Sequence, residues 1–161
     1  MPTARWPAEL LPDELGAVVH GPVVLARSPG IAVGLRCVFA HPTGLHLPLV
    51  LLAEGVQAEA ATRRSGMGRH SDEMPEHMPW SGLSLTVEMD GEVRTADPTR
   101  RTSSGSDDHY ALAADHWIGA LPGDGRLTLT AGWPEAGLAE QRTVLTLEDL
   151  DHLADRVVSL R

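Results

Sequence analysis

The chain has 161 residues, a formal net charge of -9 at neutral pH and no lysine. This charge would repel a phosphate backbone, which excludes nucleic acid as the expected partner. No apolar run approaches the ~20 residues of a membrane helix, and the N-terminal segment lacks the apolar core of a signal peptide, so we expect a cytoplasmic protein without a membrane partner.

A two-residue hydrophobic rhythm predicts β-strands in the first half of the chain. Val23 to Arg27 reads as a short strand, and from Ile31 to Phe39 the odd-numbered residues form one apolar face that includes Cys37. The sequence His41-Pro42-Thr43-Gly44 has the residues of a type I turn and predicts a hairpin. The return strand then continues to Ala53, with Pro48 indicating an edge position or a bulge.

The second half repeats the pattern after a long polar segment. Residues 54–81 and 97–108 lose the apolar alternation and are predicted to be long polar loops. Between and after them, the alternation at 83–89, the Asp90-Gly91 turn signal and three further apolar segments up to Leu145 predict more strands. Trp133 follows the inward alternation and should belong to the core.

The C-terminal segment changes to a helical period. Apolar residues recur at three- and four-residue steps over 147–160, after Thr146 as a natural N-cap, which predicts an amphipathic helix. We therefore expect one mainly β domain over residues 1–161, an antiparallel β-sandwich or open barrel of about seven or eight strands with one C-terminal amphipathic helix.

Two stretches carry a resemblance to other proteins. They are Pro22 to Leu52, with PVVLARSPGIAVGL and HPTGLHL, and Trp117 to Arg142, with WIGALPGDG and GWPEAGLAEQR. Together they resemble a set of uncharacterised proteins of high-GC Gram-positive bacteria. The resemblance implies a β fold in a bacterial cytoplasm and implies no activity, cofactor or catalytic residue.

The strongest chemical signal is the loop at residues 67–78, which concentrates histidine and methionine. Imidazole and thioether groups favour copper, and interleaved carboxylates suit zinc or nickel. A metal site would use the four side chains His70, Met74, His77 and Met78. The alternative is a solvated polar loop without a cofactor, because no Cys-x-x-Cys pair and no His-x-x-x-His pair on a predicted helix is present.

Binding residues are also suggested by other histidines and by one tryptophan. His41 and His46 flank the hairpin turn and could form a site with His109 and His116 if the strands meet, or all four could be ordinary surface side chains. Trp80, at the end of the long loop, either packs over the sheet or contacts a partner.

No nucleophile elbow, phosphate loop or other catalytic signature occurs in the sequence. The composition and the two polar loops therefore favour a non-enzymatic β-sandwich that binds a protein partner or associates with itself. Two alternatives stay open. One is a metal-binding protein that uses loop 67–78, and the other is a small-molecule hydrolase or isomerase with a pocket between sheet and helix.

Overall fold

The computed structural model describes residues 5–65 and 81–161. The described chain is mainly β, as predicted, with two principal sheets that are antiparallel except for the short parallel pair of β1 (Arg5–Trp6) and β9 (Glu92–Ala96), and with little helix. None of its helices is long and apolar enough to cross a lipid bilayer.

The larger sheet contains seven strands. They are β3 (Ala17–His20), β4 (Val23–Ser28), β5 (Ile31–Leu35), β6 (Val38–His41), β7 (Gly44–Glu54), β10 (Pro98–Gly105) and β11 (His109–Ile118). Their order is β10-β11-β7-β5-β4, and β6 continues along the same side of β7 as β5 and pairs in turn with β3. The central strand is therefore β7, which follows the predicted turn at residues 41–44.

The smaller sheet has the order β1-β9-β8-β12-β13. Its strands are β1 (Arg5–Trp6), β8 (Ser84–Met89), β9 (Glu92–Ala96), β12 (Arg126–Trp133) and β13 (Leu138–Thr146). A two-stranded ribbon joins β2 (Glu14–Leu15) to β14 (Val158–Ser159) near the two ends of the chain. The helical elements are α1 (Gly55–Arg64), α2 (Leu153–Arg156) and a 3-10 turn at Pro134–Ala136.

Alternating side chains of both sheets meet in one hydrophobic core. The five residues predicted to share a face of β7 are all buried: Leu45, Leu47, Leu49, Leu51 and Ala53. Trp133 is fully buried, as predicted, and stands edge-on to Tyr110 of the other sheet, with ring centroids 5.9 Å apart. The arrangement is sandwich-like, because the inward face of each sheet covers the other.

The two sheets also approach each other where β4 runs beside β13, and side chains close this seam. The backbone N–H of Arg27 donates to Gln141 Oε1 at 2.7 Å, and that of Ala139 donates to Ser28 Oγ at 3.2 Å. A third bond runs from Thr143 Oγ1 to the carbonyl oxygen of Leu25 at 3.5 Å. Side chains thus provide partners to backbone groups that a strand ladder would otherwise satisfy.

Two details of the first strands differ from the prediction. The expected continuous strand from Ile31 to Phe39 breaks after Leu35, and the alternation changes parity, so that Val38 is buried while Cys37 and Phe39 are only half-buried. Pro48 lies in a central strand and not at an edge. It sits where the partner of β7 changes from β5 to β6, so its missing N–H breaks no ladder bond there.

Both predicted polar loops contain regular structure. Residues 98–105 form strand β10, which pairs with β11 over almost its whole length and lacks apolar alternation because it is exposed at the sheet edge. Segment 54–81 begins with helix α1, whose buried residues are only Ala58 and Ala61. Such small side chains give no visible apolar stripe in the sequence.

The predicted C-terminal helix over 147–160 is wrong in extent. Only Leu153–Arg156 is helical, and the preceding His152 has a left-handed backbone with φ 59°. The rest of the segment bonds to neighbouring strands: the N–H of Glu148 donates to the carbonyl oxygen of Val19, and β14 pairs with β2. These tertiary hydrogen bonds override the helical period of the sequence.

Candidate functional site

Both histidines of the predicted hairpin site lie on the outer face of the larger sheet, but each has its own carboxylate partner. His41 is buried, its Nδ1–H donates to Glu14 Oε1 at 2.8 Å, and its ring meets Trp117 edge-on with centroids 5.5 Å apart. Because an ionised carboxylate can only accept, this bond places the proton on Nδ1. These contacts anchor β2, which contains Glu14, to the hairpin formed by β6 and β7.

His46 belongs to a second polar group. It lies on β7 two residues beyond Gly44, the residue that pairs with His41. Its Nε2–H donates to Asp115 Oδ1 at 2.7 Å, the Arg100 Nε–H donates to Asp115 Oδ2 at 3.1 Å, and the imidazole stacks on Phe39. Burial alone would raise the pKa of Asp115, but the hydrogen bonds and charges of His46 and Arg100 outweigh it, so the pKa is lowered. Asp115 is therefore a carboxylate held between two donors.

The other two histidines do not join them. His116 is buried and pairs in register with Leu47, so its side chain points to the face opposite His46. Burial lowers the pKa of His116 to about 4, against the opposing effects of the Leu47 backbone and nearby carboxylates. His109 is exposed at the far end of β11, opposite Glu54. The predicted four-histidine site is therefore not assembled, and the described residues contain no group of three potential metal ligands.

His70, Met74, His77, Met78 and Trp80 all lie outside the described residues. The copper, zinc or nickel site in loop 67–78 and the contact role of Trp80 stay predictions.

One cavity contains a histidine and a carboxylate, the groups expected of a hydrolase or isomerase. It measures about 300 Å³ and is lined by His20 and Glu148, together with Val18, Val19, Gly21 and Thr146. However, the His20 ring bonds to the carbonyl oxygen of Gly21 at 2.8 Å, and Glu148 is exposed. One ring nitrogen of His20 is therefore already bound by the backbone, and the carboxylate of Glu148 is solvated.

A different surface on the larger sheet stands out by its apolar character. Its outer face carries seven small or aliphatic residues on neighbouring strands, all half-buried or exposed, which we call the apolar face: Val24, Ala32, Gly34, Val50, Leu52, Ala111 and Ala113. Leu52 is 52% exposed. The solvated face of an antiparallel sheet is normally polar, so an apolar outer face indicates a contact surface.

The apolar face contains a groove at its one glycine. Gly34 lies between Val24 and Val50, and the groove above it has a volume of about 290 Å³ with mostly apolar walls. A Cβ at Gly34 would meet only the carbonyl oxygen of Val23, at 3.5 Å, so the fold has room for a side chain at this position. The groove therefore exists because residue 34 has no side chain, and the backbone conformation at this position does not require glycine.

Charged residues stand around this surface, and Arg27 is exposed on the same face opposite Ala32. Arg36 lines one end of the groove, and Glu54 is exposed at the opposite end of β7, beyond Leu52. Sequence reasoning missed the surface, although a signal was present: both faces of the strand 49–52 are apolar, whereas an antiparallel strand with one solvated face should alternate.

Comparison of the chain with models of protein families gives no match. Searches among curated proteins and among solved structures likewise give no significant match. The resemblance to proteins of high-GC Gram-positive bacteria thus stays a prediction, and the function must be inferred from the surface itself.

Proposed function

We propose that the protein is a non-enzymatic interaction module that forms a homodimer through the apolar face. The observation that carries this proposal is the coexistence of a groove at Gly34 and a protruding Leu52 on the same sheet face. An interface between identical copies must be self-complementary, and a face with both a cavity and a side chain to fill it meets this requirement.

A two-fold axis that lies in the interface and crosses the strands at the level of Leu51 satisfies the apolar contacts. Leu52 and Val50 are one residue on either side of this level, and Val50 pairs with Gly34 in the ladder. The axis therefore places Leu52 of each copy beside Val50 and over the Gly34 groove of the other. Filling the groove removes apolar surface from water on both copies.

The same axis gives favourable contacts between charges. Glu54 is three residues beyond Leu51, and Arg36 donates its backbone N–H to Pro48, three residues before Leu51. Sheets packed face to face at about 30° bring such positions within reach of long side chains. Each Glu54 would thus lie near Arg36 of the second copy, which aligns the two sheets.

The surface has the size of a weak, reversible interface. Five strands spaced about 4.8 Å apart, which share about five residues each at 3.4 Å, give a face of roughly 24 Å by 17 Å. Two copies would then bury about 800 Å² in total, which is less than the roughly 1,000 Å² of a stable specific interface and typical of a weak one. We therefore expect a dissociation constant in the upper micromolar range.

Sedimentation velocity over a concentration series tests the proposal. Leu52→Glu replaces two buried leucines by two buried charges and should raise the dimer dissociation constant by a factor of about 100 or more. Gly34→Val should weaken the dimer while leaving the fold intact, since a Cβ at this position makes only an ordinary contact of 3.5 Å with the carbonyl oxygen of Val23. The matched control is Val144→Glu on the smaller sheet, where Val144 is 58% exposed, close to the 52% of Leu52.

The dimer should survive Val144→Glu and be lost in the two variants of the apolar face. A wild-type protein that is monomeric at every concentration would contradict the proposal. A self-association that neither Leu52→Glu nor Gly34→Val weakens would also contradict it, because the contact would then lie elsewhere.

A further inference from the structure

Strand β10 is the long sheet edge that the described chain leaves uncovered. The edge of β4 is closed by side chains of β13, and the edge of β3 by the N–H of Glu148 and the guanidinium of Arg156. By contrast, no described residue hydrogen-bonds to the outer backbone edge of Pro98–Gly105, and Arg100 to Gly105 are all exposed. An exposed edge of this length is a template for pairing with another strand.

Charges of opposite sign lie at the two ends of this segment, so two antiparallel copies of it bring unlike charges together. Arg100 and Arg101 precede a neutral stretch of Thr, Ser and Gly, and Asp107 and Asp108 follow it. The two aspartates stand in the bend that follows β10, and Arg100 is already bound to Asp115, so the pair that an antiparallel arrangement of two identical strands brings together is Arg101 of one copy and the bend of the other. Opposite charges at facing or diagonal positions stabilise a strand pair, while like charges directly opposite destabilise it.

We propose that β10 pairs antiparallel with β10 of a second copy, about a two-fold axis at Ser103. In this register Arg101 faces Gly105 of the second copy, next to the bend that contains Asp107, and no arginine faces another arginine. The pairing would extend the larger sheet from one copy into the next through main-chain hydrogen bonds. The occupant of the edge is thus another molecule of the same chain.

This second contact is geometrically compatible with the proposed homodimer. The tetramer that the two contacts would form together rests on that proposed homodimer. Ser103 pairs with Leu112, Leu112 with Leu51, and Leu51 with Val33, so Ser103 is level with the axis assigned to the apolar face. One axis lies in the sheet-packing interface and crosses the strands, and the other is perpendicular to the sheet. Perpendicular two-fold axes that intersect generate a closed tetramer of D2 symmetry.

Charge reversal and its rescue test the edge contact by sedimentation velocity. The wild-type chain should form tetramers, and Asp107→Arg should raise the dissociation constant of the edge contact by about tenfold and release dimers. Adding Arg101→Asp to Asp107→Arg restores opposite charges and should restore the tetramer. Asp151→Arg makes the same charge change at another exposed position and should have no effect.

The two proposals fail in distinguishable ways. Leu52→Glu should leave dimers joined at β10, and combining it with Asp107→Arg should give monomers. A wild-type dimer that Leu52→Glu dissociates but Asp107→Arg does not would overturn the β10 contact and leave the apolar face standing. A dimer sensitive only to Asp107→Arg would do the reverse, and a tetramer that the double charge swap fails to restore would also overturn the β10 contact.

Discussion

Acidification should destabilise the fold through one buried side chain, His116. Its pKa in the folded protein is about 4, against a reference value of 6.5. Below pH 6.5 the imidazole of His116 becomes protonated in the unfolded chain, whereas in the folded protein it stays neutral down to about pH 4. Stability is therefore lost as the pH falls from 6.5 to 4, and the loss is complete below pH 4. Two and a half pKa units correspond to about 3 kcal/mol in total, of which about 2 kcal/mol should be lost by pH 5.

The loss would be a large part of the stability of an ordinary domain, which is about 5–15 kcal/mol. Urea unfolding at a series of pH values measures it, with protein concentration held constant because self-association also contributes to stability. His116→Met keeps an apolar side chain of similar size without a titrating group. This variant should therefore flatten the stability curve between pH 6.5 and 4 by about 3 kcal/mol.

A matched control lies in the same strand. His109 is exposed at the other end of β11, so His109→Met should keep the pH dependence of the wild-type protein. Parallel stability curves for the wild-type protein and His116→Met would refute the assignment of the acid sensitivity to His116. The lowered pKa of Asp115 cannot produce the same signal, since a lowered carboxylate pKa adds a loss of stability at pH values below its ordinary range of about 4.

Two further predictions concern the glycines and the histidine-rich loop. Gly44→Ala should destabilise the protein by several kcal/mol in thermal unfolding, because its Cβ would overlap the carbonyl oxygen of Ile118. By contrast, Gly34→Ala should be neutral or stabilise the protein by up to about 1 kcal/mol. Equal effects of the two substitutions would contradict the packing described for both glycines. If loop 67–78 is a metal site, protein purified without a histidine tag should contain stoichiometric copper, zinc or nickel and lose it on replacing His70 and His77 by alanine. Elemental analysis that finds no metal, with no change of melting temperature on adding these ions, would exclude the site.

The strands with one buried and one solvated face were predictable from sequence. The rhythm at 83–89 and on the inward face of β7 predicted β8 and β7, and the Asp90-Gly91 signal predicted a turn in which both residues have positive φ. These elements follow from local patterns, since hydrophobic period and turn chemistry are set by neighbouring residues.

Elements that depend on distant partners were not predictable. Strand β10 carries no apolar alternation, because it is extended only through its pairing with β11. The C-terminal segment has a helical period but gives up most of its helix to bond to β2 and β3. For the same reason the carboxylates paired with His41 and His46 could not be foreseen, since Glu14 and Asp115 are distant in sequence from their partners.

The contact between β4 and β13 is held by side-chain hydrogen bonds, so it depends on the identity of particular residues. A backbone ladder tolerates almost any sequence, because every residue except proline contributes the same groups. This seam instead depends on the amide of Gln141 and the hydroxyls of Ser28 and Thr143. Divergence at three surface positions could therefore separate the two sheets along one side, without altering a single residue of the hydrophobic interior.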